Sequence, residues 1–445
     1  MRTQLSTDKV QLFAYFIFIS LTGSAVLSLP FAYKSGIPVP YIDALFTAMS
    51  AVCVTGLSSV SMDVYTSAGF IVIMILIELG GLGIISFVSF YLIAPKRKMS
   101  LVNRSVVKDF FIEDVEIEPR RILRSIVVLT LTLQFFGTCI LYSGFLLAGS
   151  SRPFLDAAFH SVSAFCNAGF STYTDSLIRY SSNVVIGATI SILIVTGGLG
   201  FLVINDIGKV IFKKRHRISY HSSVVLIVTA FLIVVSALFY FIFEYNGAFE
   251  KMDLKSKVLS SFFQAITPRT AGFELVPQRS LSPISGLFTL VLMFIGGSPG
   301  SVAGGVKTTT FLIVVLYALR GNYESNGFNM HHRNIGTGII EKSFSIVAKS
   351  IMIILGSLTL LLFTEQAHVL DGSIQFFDLL FETVSAFSTV GLSQGITETF
   401  SSAGKVILIL TMFIGRTGIF AMALGYARYE KERYFEYPSA SIMIG

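Results

Sequence analysis

Eight apolar stretches, near 11–29, 68–93, 121–148, 184–211, 219–243, 282–319 (interrupted), 343–364 and 403–427, are each long enough to cross a bilayer. Between the members of each consecutive pair lies a shorter apolar segment: Tyr41–Val52, Phe154–Phe165, Val258–Thr267 and Ile374–Phe387. About a dozen residues are too few to span a membrane, but they suit a re-entrant helix that dips in and returns. The order long, short, long occurs four times, which is an internal repeat. The expected fold is an all-α polytopic membrane protein with eight spans and four re-entrant pore helices. These form four membrane–pore–membrane repeats around a pseudo-four-fold axis, bounded near 1–98, 99–216, 217–330 and 331–445, the last with a short cytosolic tail.

Composition agrees. The chain is 53% hydrophobic and only 13% charged, where a soluble domain carries about 25% charged residues. So apolar a chain cannot cover its own surface with polar groups. A cytosolic enzyme, a secreted disulfide scaffold and a disordered regulator are therefore excluded. The net charge of +7 would point to nucleic acid in a soluble protein; here it reads as topology, with no nucleic-acid partner. If the N-terminus is cytoplasmic and each short segment faces outside, 22 Lys and Arg residues fall inside and 9 outside, the direction of the positive-inside rule. Both termini are then expected in the cytoplasm and the chain in a plasma membrane. The three cysteines, Cys53, Cys139 and Cys166, lie in apolar sequence without paired spacing, so neither a disulfide frame nor a transition-metal site is expected. The opening MRTQLSTDKV precedes an apolar run without a small-residue cleavage site and reads as leading into a retained first span.

The short segments align as FTAMSAVCVTGL (46–57), FHSVSAFCNAGF (159–170), FFQAITPRTAGF (262–273) and FETVSAFSTVGL (381–392). Each opens on Phe, has a small residue midway, and reaches a glycine ten positions on, followed by Leu or Phe. Three place an aspartate three residues before that Phe: Asp43, Asp156 and Asp378, with Leu259 in the third. An acid in the first turn complements the positive helix end and leaves the negative end pointing inward, toward a cation. The strips that follow, Val54-Thr55-Gly56, Asn167-Ala168-Gly169, Thr270-Ala271-Gly272 and Thr389-Val390-Gly391, are irregular backbone at membrane depth. Such backbone is tolerated only where it is buried in protein or lines a water-filled cavity. Glycine permits positive φ, so successive carbonyls can face one axis and replace the water shell of a cation. One such glycine alone is better explained by close helix packing; four at the same spacing make a selectivity filter the sharper reading.

A second glycine signature follows each strip: ELGGLG (78–83), TGGLG (196–200), IGGSPGSVAGG (295–305) and IGRTG (414–418). In repeats one, three and four its first glycine lies 24 residues beyond the filter glycine. The third signature, Gly296-Gly297-Ser298-Pro299-Gly300-Ser301-Val302-Ala303-Gly304-Gly305, cannot remain a good helix and is expected to be a mobile loop below the filter, hence a gate. Charges inside spans are costly, and three stand out: Glu78, Lys307 and Arg416. Arg416, in place of a glycine, would hold the loop shut through its carbonyls. Lys307 would either join it or reach the cytoplasm, and Glu78 would pair with one of these cations. His160 is expected to be a structural hydrogen-bonding group.

On VTGL (54–57), NAGF (167–170), TPRTAGF (267–273), STVGL (388–392), MFIGGSPGSVAGGVKTTTF (293–311) and MFIGRTG (412–418), the chain resembles the Trk/Ktr/HKT superfamily of potassium-transport membrane subunits, most closely the bacterial Ktr type. The resemblance covers nearly the whole chain. It implies filter glycines at Gly56, Gly169, Gly272 and Gly391, a gating loop at Gly296–Gly305 and the inner-helix arginine at Arg416. In plant relatives a serine at the first of these glycines goes with sodium transport, so glycine at all four implies potassium preference. The resemblance further implies a homodimer seated on a cytosolic ring of nucleotide-binding RCK/KTN subunits that binds ATP or ADP. This chain itself would hold no cofactor, K+ would be the transported ion, and Na+ a stimulating one. Glu78 stands where an uncharged residue is expected, and Cys53 and Cys166 flank the filter where Thr or Asn is usual. The competing function is a cation symporter working by alternating access, which usually needs ionisable groups at the midplane. A membrane-embedded enzyme would need clustered nucleophiles that the chain lacks.

Overall fold

Apolar runs free of interior proline become long helices, because a helix satisfies its own backbone polar groups without water. The structure, a computed structural model, describes residues 7–34, 39–93, 119–213, 217–320, 328–330 and 333–418. Its helices are α1 (Thr7–Leu27), α2 (Tyr41–Val52), α3 (Ser67–Ile93), α4 (Pro119–Leu147), α5 (Pro153–Phe165), α6 (Val184–Leu199), α7 (Phe201–Ile211), α8 (Tyr220–Glu244), α9 (Leu254–Ile266), α10 (Pro283–Phe294) and α11 (Thr308–Arg320). A two-stranded hairpin follows, β1 (Phe328–Met330) antiparallel to β2 (Arg333–Ile335), then α12 (Thr337–Thr364), α13 (Gln366–Leu370), α14 (Phe376–Ser388) and α15 (Ser402–Phe413). A π-helical turn, Ile414–Gly418, ends the described part. The basic stretches near 96–108 and 428–433 lie outside the described residues.

Among the described residues, Arg124–Leu147, Tyr220–Glu244 and Thr337–Thr364 are long and apolar enough to cross a membrane. The stretch 184–211, expected as one span, is instead two helices bent by 103°. The break falls at Gly200, whose φ of +85° is a left-handed conformation that glycine adopts without a Cβ penalty. The stretch 282–319 divides, as its glycines and proline require, into α10 and α11. In the last stretch the α-helix ends at Phe413 and passes into the π-helical turn Ile414–Gly418; residues 419–427 lie outside the described residues.

The short helices α2, α5, α9 and α14 sit inside, and the long ones carry exposed Phe and Leu on their outer faces, as in Phe18, Phe135, Phe231 and Phe363. Polar groups on the short helices are buried and bonded. Asp43 accepts from Ser59 Oγ at 2.6 Å and from Lys405 Nζ at 2.5 Å. Asp156 accepts from Thr172 Oγ1 and Tyr173 OH, both at 2.7 Å, and Asp378 forms a capping box with Gln375. In the third repeat, which lacks the acid, Gln264 Nε2 donates to Gln278 Oε1 at 2.9 Å. These acids complement a helix dipole, as expected, but the first two also pin the loop that returns from the strip.

Candidate ion-conduction site

The four glycine strips converge. A Cβ on Gly56 would stand 2.4 Å from the Ala168 carbonyl oxygen, and one on Gly169 would stand 2.8 Å from that of Ala271. On Gly272 it would meet the Val390 oxygen at 2.3 Å, and on Gly391 the Thr55 oxygen at 2.2 Å. The contacts run from strip one to two, three and four and back to one. A closed cycle of neighbours at these distances places all four backbones around one line, and no side chain fits at the glycine positions. A cavity of about 410 Å³ opens on all four glycines from the side of the returning loops.

Each strip alternates its backbone. The filter glycines have φ of +99°, +71°, +76° and +92°, and the residues two before them are left-handed as well: Val54 (+57°), Asn167 (+58°), Thr270 (+66°) and Thr389 (+52°). For non-glycine residues this costs about 1–2 kcal/mol each and persists only where the surroundings over-determine it. The surroundings include hydroxyls on the short helices. Ser50 Oγ accepts the Gly56 N–H and Ser385 Oγ the Gly391 N–H, both at 3.1 Å. Ser163 Oγ donates to the Phe170 oxygen at 2.8 Å, and Thr267 Oγ1 to the Phe273 oxygen at 2.6 Å. Sequence reading recorded a small residue midway along each short helix but missed these bonds and the left-handed residues. His160 also braces a strip: its Nε2 lies 2.9 Å from Ser171 Oγ and its Nδ1 2.7 Å from the Asp156 carbonyl oxygen. Thr55, Thr270, Ser388 and Thr389 carry buried hydroxyls without a partner among the described residues.

The second set of glycines receives the ends of the short helices. A Cβ on Gly80 would meet the Val52 oxygen at 2.0 Å, on Gly197 the Phe165 oxygen at 1.9 Å, and on Gly415 the Phe387 oxygen at 1.8 Å. Gly197 fills this role 28 residues past Gly169 rather than 24. In repeat three the corresponding Gly296 faces instead the Gly304 oxygen of its own loop, at 1.9 Å. The loop is pinched at its base, where Gly296 N–H donates to the Val306 oxygen at 2.9 Å and Val306 N–H to the Phe294 oxygen at 3.2 Å.

From that base the loop reaches across the centre. Ser298 N–H donates to the Gly198 oxygen at 3.0 Å and Phe201 N–H to the Gly300 oxygen at 3.3 Å, while Ser298 Oγ donates to the Leu199 oxygen. The break at Gly200 thus docks Ser298, Pro299 and Gly300. On the opposite side Gly304 lies against Ser388 and Thr389. Arg416, buried, donates from Nη1 to the Val302 oxygen at 2.5 Å and from Nη2 to the Gly80 oxygen at 3.2 Å. The bond to a loop carbonyl was expected from the sequence; the bond to Gly80, which joins the loop to repeat one, was not. Lys307 Nζ donates to the Ala303 oxygen at 2.6 Å. Ser301 Oγ donates to the Ser298 oxygen at 2.7 Å, and Gly305 turns the chain at φ +64°. In this conformation the loop is bonded on several sides and lies against the end of the fourth short helix.

Glu78 requires a correction. It pairs with neither cation; its Oε2 accepts from Gln134 Nε2 at 2.8 Å and from Cys166 Sγ at 3.4 Å. Gln134 belongs to α4, so one carboxyl oxygen is bonded sideways, between repeats one and two, while Oε1 is buried without a hydrogen-bond partner among the described residues.

Short helices ending in converging backbone strips, inside a shell of apolar helices, define a helical membrane protein. The chain belongs to the TrkH family of cation transport proteins, whose sequence profile matches residues 2–437. It is 35% identical over 454 aligned residues to the potassium/sodium uptake protein NtpJ of Enterococcus hirae, covering 100% of this chain and 99% of that one. It is 34% identical to the Ktr system potassium uptake protein B of Bacillus subtilis, covering 97% and 95%. The solved potassium transporter TrkH of Vibrio parahaemolyticus superposes with a TM-score of 0.71 over 94% of this chain and 85% of its own, at 18% identity, a likeness of fold.

Proposed function

We propose that this chain is the ion-translocating membrane subunit of a Ktr-type bacterial potassium uptake system. The closed cycle of strip contacts, each glycine pressed against the next strip's carbonyl, carries this reading. K+ sheds water against carbonyls of Val54–Gly56, Asn167–Gly169, Thr270–Gly272 and Thr389–Gly391, and the unpartnered Thr and Ser hydroxyls beside them supply further oxygen ligands. The relatives named for potassium uptake support the choice of ion. So does a glycine at all four filter positions.

In this reading the chain makes eight crossings in four repeats, lies in the plasma membrane and has both termini in the cytoplasm. The Gly296–Gly305 loop, held by Arg416 and Lys307, is the gate. The subunit forms a homodimer on a cytosolic RCK/KTN ring, whose ATP or ADP sets the loop's position, and Na+ stimulates transport. The chain catalyses no covalent reaction. An alternating-access symporter would set an ionisable group in the path, and the lateral bonding of Glu78 counts against it.

The test is growth of a potassium-uptake-deficient bacterium on low potassium, with and without a co-expressed ring subunit. Rescue is expected, stronger with the ring; no rescue by an abundant membrane-inserted chain in either case would overturn the reading.

A further inference from the structure

The short helix α14 holds the strip that follows it at both ends. Two of its residues, Glu382 and Ser385, are three apart and so share one helix face. Ser385 fastens the strip itself: its carbonyl oxygen accepts the Val390 N–H at 2.9 Å and its Oγ the Gly391 N–H at 3.1 Å. Glu382, fully buried, fastens the chain just beyond. Its Oε1 accepts from the Ser393 hydroxyl and from the Gln394 N–H, the latter at 3.1 Å, and its Oε2 from the Thr397 hydroxyl at 3.1 Å. Ser393 Oγ in turn accepts the Gly395 N–H at 2.8 Å, so residues 393–397 are gathered around one carboxyl group.

The same two helix positions act in repeat two, where Ser163 bonds to the Phe170 oxygen and His160 to Ser171. Ser171 and Ser393 each stand two residues past the strip glycine. Repeats one and three are built differently. Thr47 accepts from Tyr65, nine residues past Gly56, and the third repeat has the apolar Phe263 at this position. Two other buried acids make bonds of the same kind away from the strips. Glu244 accepts the N–H and hydroxyl of Ser282, and Glu365 those of Ser401, the residues that cap the starts of α10 and α15.

We propose that Glu382 is a positioning residue for the fourth strip: by holding the chain that leaves Gly391, it fixes the carbonyls that discriminate potassium from sodium. The proposal rests on the transport reading above. Thr389, the first residue of that strip, stands at φ +52°, a conformation that a non-glycine residue keeps only where its surroundings over-determine it. The Val390 oxygen lies 2.3 Å from where a Cβ on Gly272 would stand, so the fourth strip is packed directly on the third. Without the tie at Ser393 and Gln394 the strip is held at one end only, its carbonyls shift against that neighbour, and the match to a dehydrated cation is lost.

The full chain in liposomes tests this, with tracer rubidium and tracer sodium uptake measured side by side and the melting temperature in detergent as the companion readout. Glu382→Ala strands the Gln394 N–H and two hydroxyls and is expected to lower the rubidium-to-sodium flux ratio about five-fold. Glu382→Gln keeps an oxygen for Ser393 and Gln394 and can donate to the Thr397 hydroxyl, so its ratio is expected to stay within about two-fold of the original. Ser393→Ala is expected to lower the ratio as well, with the double variant no worse than Glu382→Ala alone. Glu365→Ala is expected to lower the melting temperature and leave the ratio as it was. A Glu382→Ala variant that keeps its ratio would overturn the role. So would a Glu382→Gln variant as unselective as the alanine one, which would make charge the agent, or a Glu365→Ala variant that loses selectivity equally, which would make stability the agent. Where Glu382→Ala does not insert, Ser393→Ala decides in its place, and a folded variant with the original ratio overturns the role. Liposomes bearing the unaltered chain that pass no rubidium above protein-free background would overturn the transport reading itself, and the inference with it.

Discussion

A side chain at Gly272 would have to enter the space that the Val390 carbonyl oxygen occupies, 2.3 Å from where its Cβ would stand, and would have to adopt φ near +76°. Gly272→Ser therefore displaces one carbonyl and strains one backbone in a ring whose function depends on all four strips. The expected outcome is at least about a ten-fold loss of potassium-over-sodium discrimination, with the protein still inserted, read from reversal potentials in mixed cations. An unchanged ratio would separate the ring from selectivity. The convergence of Gly56, Gly169, Gly272 and Gly391 was legible in the sequence because repetition exposed them: one glycine says little, four at a common spacing say much. The left-handed residues two places earlier were not. Val54, Asn167, Thr270 and Thr389 have no side-chain type common to all four, so only the backbone reveals that they are equivalent. Gly197 stood in the second glycine signature, TGGLG, but its different spacing did not show that it receives a short-helix carbonyl as closely as Gly80 and Gly415 do.

At the scale of elements, the broken helix between α10 and α11 was legible from composition alone, because glycine and proline cannot sustain an interior turn. What the loop touches was not legible, because its partners lie far along the chain. Gly200 breaks the α6–α7 helix without proline, and only the docking of Ser298 and Gly300 beside it accounts for the 103° bend. Expectation had made the loop mobile; its observed state is held by at least three neighbours. Two variants weigh that hold. Arg416→Ala removes the bonds to Val302 and Gly80, and shortening the loop within 298–303 removes the segment proposed as the gate. Both are expected to raise flux several-fold without altering selectivity, measured by rubidium uptake in liposomes. If folded variants conduct at the original rate, the loop is not the barrier and Arg416 is a structural brace.

At the scale of the whole molecule, four strips meet on one line only if the first and last repeats are joined, and no covalent connection closes that gap. Lys405 on α15 crosses it to Asp43 on α2, 362 positions apart in sequence and 2.5 Å apart in space. Both side chains are largely buried, 11% and 6% exposed, so each charge depends on the other. Truncating one partner of such a pair costs about 3–5 kcal/mol, because the remaining charge is stranded, whereas replacing both can be nearly neutral. Lys405→Met is therefore expected to lower the melting temperature in detergent markedly. The double variant Lys405→Met with Asp43→Asn is expected to recover most of the loss, leaving Ser59 a neutral acceptor. Tyrosine fluorescence can follow the transition, since the chain has no tryptophan. Strictly additive losses would show that the pair does not couple the two repeats. If the coupling holds, the single variants are also expected to loosen ion discrimination before they unfold the chain, because the seam they weaken is the one across which Gly391 presses on the Thr55 oxygen.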